Sequence, residues 1–91
     1  LVHRDAGRLE ESRRLLVAQL QRVPTDLGAL EQLTDVLVAE ERMSDARVAV
    51  DRLLRHEPDR AGAWWFDAVL LADQARWRDA LSRWEALAQR A

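Results

Sequence analysis

Cysteine is absent from this 91-residue chain, and so are lysine, asparagine, isoleucine and tyrosine. Without cysteine, the chain can form neither a disulfide framework nor a thiolate metal site. No apolar run approaches the roughly 20 residues that a membrane span requires, and the charged start His3-Arg4-Asp5 does not resemble a signal peptide. We therefore expect no membrane insertion and, by default, a cytoplasmic location. Because the first residue is Leu1 rather than Met, we expect a longer parent protein.

The chain has no excess of positive charge, because it contains 14 basic and 16 acidic residues and its formal net charge is -2. Nucleic-acid binding requires a basic face, so we expect no nucleic-acid partner. Every basic residue is Arg, and Ala, Leu and Val are abundant. This composition is typical of a GC-rich genome, and we expect a bacterial source. For the same reason, the choice of Arg at a given position is weak support for a role of its forked geometry.

Residues that could carry chemistry are few and scattered. Gly7, Gly28 and Gly62 do not cluster into a phosphate-binding loop, and no nucleophile-elbow motif is present. His3 and His56 have no further ligand at a useful spacing and lie far in sequence from the serines. The acidic pairs are interpreted as solvated surface: Glu10-Glu11 and Glu40-Glu41. We therefore expect no enzymatic activity, no cofactor and no metal.

Apolar residues do recur at steps of three and four, which predicts helices and leaves no strand pattern. Five helices are predicted, the first over Arg8 to Arg22, with Pro24 and Pro58 ending the first and third. The predicted helix N-caps are Thr25-Asp26, Ser44 and Asp59. The apolar stripes predicted to face the core are Leu9, Leu15, Leu16 and Leu20; Leu30, Leu33, Val36 and Leu37; Ala46, Val50, Leu53 and Leu54; Trp64, Phe66, Ala68, Leu70 and Leu71; and Trp77, Ala80, Leu81, Trp84 and Leu87.

The two prolines lie thirty-four residues apart, and much of the chain aligns with itself at that spacing. A small residue recurs at this interval, and a large apolar residue follows it four positions later. The small residues are Ser12, Ala46 and Ala80, and the large ones are Leu16, Val50 and Trp84. A small side chain beside a large one lets two helices approach closely. A fixed period of 34 is characteristic of repeated helix-turn-helix units.

In this register the chain resembles the tetratricopeptide repeat family. Trp64 occupies the position of the first-helix aromatic residue, Ala80 and Trp84 match the later small-to-aromatic pair, and Pro24 and Pro58 match the closing proline. The chain departs from the family pattern at five positions: Leu37 and Leu71 replace Tyr, Thr34 and Ala68 replace Gly, and Asp67 replaces Leu. The alternative, a non-repeating helical bundle, does not explain matched turns and prolines at a fixed interval.

The resemblance implies an all-α fold, in which antiparallel helix-turn-helix repeats form a short right-handed α-solenoid. The chain would be a single domain of about two and a half repeats, with a partial repeat at 1–24 and full repeats at 25–58 and 59–91. Such arrays generally need about three units and polar caps. We therefore expect exposed apolar surface at both ends, which would favour self-association into a homodimer.

The resemblance also implies that the first helix of each repeat lines a concave groove that binds a peptide or a helix of a partner protein. The groove residues would be Glu31, Asp35, Val38 and Ala39 in one repeat, and Trp65, Val69, Ala72 and Asp73 in the next. A groove that is acidic at one end and apolar at the other suits a segment with basic residues and a hydrophobic anchor.

The four tryptophans and Asp67 require separate interpretation. Trp64, Trp77 and Trp84 are predicted to be core residues, whereas Trp65 points about 100° away from Trp64 and is predicted to line the groove. The alternative for Trp65 is packing on the preceding repeat. Asp67 lies where the packing stripe requires Leu. Since an unpaired buried carboxylate is costly, the helix must expose it or an arginine such as Arg76 or Arg83 must pair with it.

Overall fold

The computed structural model describes residues 6–90, which form five α-helices and no strand. The helices are α1 (Ala6–Arg22), α2 (Leu27–Ala39), α3 (Met43–His56), α4 (Ala61–Asp73) and α5 (Trp77–Arg90). Each helix packs on the next, and α2 also contacts α4. Because the connections at 23–26, 40–42, 57–60 and 74–76 are short, consecutive helices run antiparallel. The all-α class and the helical-repeat architecture expected from the sequence are therefore confirmed.

Of the predicted helix N-caps, only that of α2 agrees with the structure. The Asp26 carboxylate accepts a hydrogen bond from the Ala29 backbone N–H at 3.0 Å, as an N-cap should. Backbone donation from Ala29, followed by the Gln19 side-chain amide, lowers the pKa of Asp26 below its usual value. The predictions of caps at Ser44 and Asp59 are wrong. Helix α3 begins at Met43, one residue before Ser44, and helix α4 begins at Ala61, two residues after Asp59. Their N-caps are Arg42 and Arg60, and neither makes a side-chain capping bond.

The turns within the two helix pairs have the same backbone geometry. Glu41 has φ 60° and Ala75 has φ 59°, and the two residues are thirty-four positions apart. Each lies two residues beyond the end of a helix, α2 or α4, in the left-handed region that usually takes glycine. Both turns therefore hold a non-glycine residue in an unfavourable conformation.

The core lies between α2, α3 and α4 and follows the predicted small-and-large pattern. Ala46 and Val50 are fully buried on α3, and Ala80 is fully buried on α5, whereas the other members of the pattern, Ser12, Leu16 and Trp84, are half-buried. The other buried hydrophobic residues are Leu20, Ala29, Leu30, Leu33, Val36, Leu37, Ala49, Leu53, Ala63, Ala68 and Leu70. Thr34, at a position where the family has glycine, is also buried, and its hydroxyl donates to the Leu30 carbonyl at 2.8 Å. The polar atom is thereby satisfied inside the helix.

Three large apolar side chains predicted to face the core are exposed instead. Trp77 is 64% exposed, Leu81 is 55% exposed and Leu15 is 65% exposed. All three lie on the two outermost helices, α5 and α1, and among the described residues each of these helices packs against only one other helix. A helix with a single neighbour buries a narrower stripe than its apolar periodicity suggests.

Candidate functional site

The predicted groove residues lie on two helices that contact each other, α2 and α4. We call this the α2–α4 surface; its seven residues are Glu31, Asp35, Val38, Trp65, Val69, Ala72 and Asp73. None of the seven is buried: Trp65 and Asp73 are exposed and the others are half-buried. Neighbouring positions on the same helices, such as Leu30 and Ala68, are buried in the core. Ala39, also expected in the groove, is exposed.

The acidic part of this surface begins at an ion pair between α2 and the start of α4. A guanidinium nitrogen of Arg60 lies 3.1 Å from the Glu31 carboxylate, and another lies 3.0 Å from Glu57. The hydrogen bond to Glu31, followed by that to Glu57, raises the pKa of Arg60 above its usual value. The Glu31 carboxylate also lies directly over Gly62, where an added Cβ would come within 1.4 Å of Oε1. Glu31 therefore helps to hold α2 against α4.

The apolar part of the surface centres on Trp65, which is 52% exposed. Its ring centroid is 5.9 Å from that of Trp84 on α5, at an interplanar angle of 47°. This aromatic contact is within the α4–α5 pair and not with the preceding pair. Val38 packs against the core, while Val69 and Ala72 are half-buried. Trp65 thus stands at the border between the α2–α4 surface and the outer side of α5.

Asp67 is buried and paired with two arginines from two other helices. One carboxylate oxygen is 2.7 Å from the Arg47 guanidinium of α3, and the other is 2.7 Å from the Arg83 guanidinium of α5. Arg83 was an expected partner, and Arg76, the other candidate, pairs with Asp79 instead. The sequence reasoning missed Arg47, although the repeat register places it one position after the fully buried Ala46.

This triad lines a cleft of about 690 Å³ between α3, α4 and α5. A second cleft of about 330 Å³ lies between α1, α2 and α3, and every residue lining it is thirty-four positions before a residue lining the first. Leu33 and Ala49 of the smaller cleft correspond to Asp67 and Arg83 of the larger one. The six charged side chains that line the larger cleft all form ion pairs: Arg47, Asp51, Asp67, Arg76, Asp79 and Arg83. This pairing is typical of a structural network.

Trp64, at the position of the family's first-helix aromatic, is held by several polar contacts. Its indole N–H donates to the Pro58 carbonyl at 2.6 Å. The guanidinium carbons of Arg83 and Arg90 lie 5.1 and 4.5 Å from its ring centroid, within the range of a cation–π interaction. Arg90 also donates to the Asp59 carbonyl. These contacts fasten α5 to the start of α4.

The described residues provide neither a metal-binding cluster nor a membrane-spanning helix. Between Ala6 and Arg90, no three histidine, cysteine or acidic residues are grouped so that they could hold a metal ion. Within the same range, no helix has the length and the apolar content to cross a membrane.

Comparison with known proteins agrees with the helical repeat seen in the structure. A search of curated protein sequences gave no significant match. A family model described as "Tetratricopeptide repeat" matches residues 3–70, which is well over half of the chain. The match ends within α4, and the equivalent turns and clefts extend the repeated geometry through α5. The chain belongs to the tetratricopeptide repeat family.

Proposed function

We propose that this protein binds a segment of a partner protein along the α2–α4 surface. Tetratricopeptide repeats generally mediate protein–protein interactions, which sets the broad class of function. The observation that carries the proposal is the placement of seven partly or fully accessible residues on two adjoining helices whose neighbouring positions are buried. The α2–α4 surface therefore offers an extended area for contact with a partner, while the neighbouring buried residues maintain the core.

The chemistry of the surface suits a segment with a basic portion and one hydrophobic anchor. Glu31, Asp35 and Asp73 provide negative charge, and Asp73 is exposed at the end of α4. Trp65 provides the largest accessible apolar area, and tryptophan is enriched among residues that dominate binding energy. Rim charges mainly raise association rates and select the sign of the partner's charge.

A peptide array tests this proposal. The array would hold peptides with two or three arginines and one aromatic or aliphatic anchor, and matched peptides with the arginines replaced by glutamate. The basic peptides should bind, and the variant Asp73→Arg should weaken binding several-fold at low salt. Val69→Asp should weaken it further by removing part of the apolar contact.

The matched control is Glu11→Arg, which makes the same charge change on the exposed face of α1. This variant should bind as the wild type does. Equal binding of the basic and acidic sets, or equal losses in Asp73→Arg and Glu11→Arg, would contradict the proposed surface.

Self-association is the second candidate function, and one observation favours it. Seven large apolar side chains are exposed in the described part of the chain, and three of these, Trp65, Trp77 and Leu81, lie on the final helix pair. An exposed apolar cluster of this kind is typical of a protein–protein contact. Trp77 and Leu81 of this cluster lie on α5, whereas Trp65 lies on α4 and also belongs to the α2–α4 surface.

A further inference from the structure

The α3–α4 interface shows how a helix covers the outer side of a preceding helix pair in this protein. On α3, Val50 is fully buried and Arg47 pairs with Asp67 of α4. Met43 and Arg47 line a small cavity together with Leu70 of α4. The row Met43, Arg47 and Val50 therefore faces α4. The equivalent row on α5, thirty-four positions later, is Trp77, Leu81 and Trp84.

The equivalent face of the α4–α5 pair has lost the charges that specify α4 as the covering helix. Leu81 replaces Arg47, whose partner on α4 is Asp67. Trp65 replaces Glu31, whose partner on α4 is Arg60. A covering helix with the charges of α4 would therefore bury them without partners, at a large cost in free energy. Whatever covers this face must present apolar side chains opposite Leu81 of α5 and Trp65 of α4.

The exposed row of α5 also has the spacing of a helix–helix seam. Trp77, Leu81, Trp84 and Ala88 follow one another at steps of four, three and four residues. This alternation is the 3.5-residue period that places one apolar stripe against a second helix. Trp77, Leu81 and Ala88 are exposed and Trp84 is half-buried. We call these four residues the α5 seam.

We propose that the α5 seam pairs with the α5 seam of a second copy of this chain, antiparallel and about a two-fold axis. This inference rests on the second candidate function, self-association, and adds its surface and register. A second copy presents only apolar side chains at the seam, which meets the requirement set by Leu81 and Trp65. A two-fold dimer uses the same patch on both subunits.

The charges beside the seam favour the antiparallel arrangement. Arg78 and Glu85 are exposed and lie seven residues apart, each one position after a seam tryptophan. Among the described residues, neither of them forms an ion pair. With Leu81 opposite Trp84 of the second copy, Arg78 of one copy lies near Glu85 of the other, and the symmetry makes this contact twice. Residues that flank a seam set orientation through such pairs.

Sedimentation velocity of the full chain, from about 1 μM to about 1 mM, tests the proposal. The wild type should shift from monomer to dimer with rising concentration. Leu81→Arg, which restores the residue found at the equivalent position of α3, should weaken dimerisation by about tenfold or more, because it buries a charge. Val48→Arg is the control, since Val48 is 60% exposed on α3 and should leave the dimer unchanged. Circular dichroism confirms that each variant is folded.

Charge exchange then tests the register. Arg78→Glu and Glu85→Arg should each weaken the dimer a few-fold, and the double variant should recover wild-type affinity. A dimer that is lost in Leu81→Arg but shows no recovery in the double variant overturns the antiparallel register and leaves self-association standing. A wild type that stays monomeric throughout, or a dimer that survives Leu81→Arg, overturns the seam itself. Because Trp65 borders both surfaces, peptide binding to wild type, Asp73→Arg and Glu11→Arg is compared at the lowest protein concentration, where the chain is monomeric, so that neither outcome affects it.

Discussion

At the scale of single residues, the backbone is strained at Glu41 and Ala75, and a glycine at either position would relieve that strain. Both are exposed, both have positive φ and both follow the first helix of a pair. The left-handed backbone conformation is unfavourable by roughly 1 kcal/mol for a residue with a Cβ atom, and glycine has no such penalty. Glu41→Gly and Ala75→Gly should therefore each raise the free energy of unfolding by about 0.5–1 kcal/mol in urea denaturation.

Ala18→Gly provides the opposite control, because Ala18 is exposed within α1. There the extra freedom of glycine should lower the free energy of unfolding by about 1 kcal/mol. If all three glycine variants were destabilised alike, the two turns would not be strained.

Sequence reasoning succeeded at residues whose role depends on their own helix pair. Ala46 and Ala80 are fully buried as the small-and-large spacing predicted, and Asp26 caps α2. It failed at Trp77 and Leu81, since their burial requires a neighbouring helix that periodicity cannot reveal. The caps failed for another reason. Ser44 lies two residues and Asp59 one residue from the observed N-caps, Arg42 and Arg60, and helix boundaries are less firmly encoded than the helices themselves.

At the scale of helices, the Arg47–Asp67–Arg83 triad joins α3, α4 and α5 through one buried carboxylate. The smaller cleft achieves the same packing with Leu33 and Ala49 at the positions of Asp67 and Arg83. The triad is therefore one of two packing solutions in the same molecule. Its presence in one cleft only is consistent with a role in specifying how α5 joins the array.

A double-mutant cycle measures how much the triad contributes to stability. Asp67→Leu alone leaves two guanidiniums without their carboxylate and should lower the free energy of unfolding by about 1–3 kcal/mol. Adding Arg83→Ala recreates the pair found in the smaller cleft, and should restore stability to within about 1 kcal/mol of the wild type.

The reciprocal single variant, Arg83→Ala, should also destabilise, because Asp67 then keeps only Arg47. If the double variant lost the sum of the two single losses, the triad would act as two independent contacts and the apolar alternative would not fit this cleft.

At the scale of the whole molecule, burial is concentrated in the middle of the stack. Helix α2 contains six buried residues and helices α3 and α4 contain four each, whereas the only buried residue of α5 is Ala80. On α1, the only buried hydrophobic residue among those described is Leu20. In a repeat array each unit is stabilised by its neighbours, so the outer helices should open at lower free energy than the inner ones.

Native-state hydrogen exchange tests this gradient and the α5 seam together. At low protein concentration, amides of α1 and α5 should exchange faster than those of α2 and α3, since they open without unfolding the core. At a concentration where the dimer forms, α5 should become protected by mass action while α1 does not change. In Leu81→Arg, exchange from α5 should stay fast at both concentrations. If raising the protein concentration protected the amides of α1 as much as those of α5, pairing through α5 would be contradicted. If all amides exchanged at the same rate at low concentration, a stack stabilised from its centre would be contradicted.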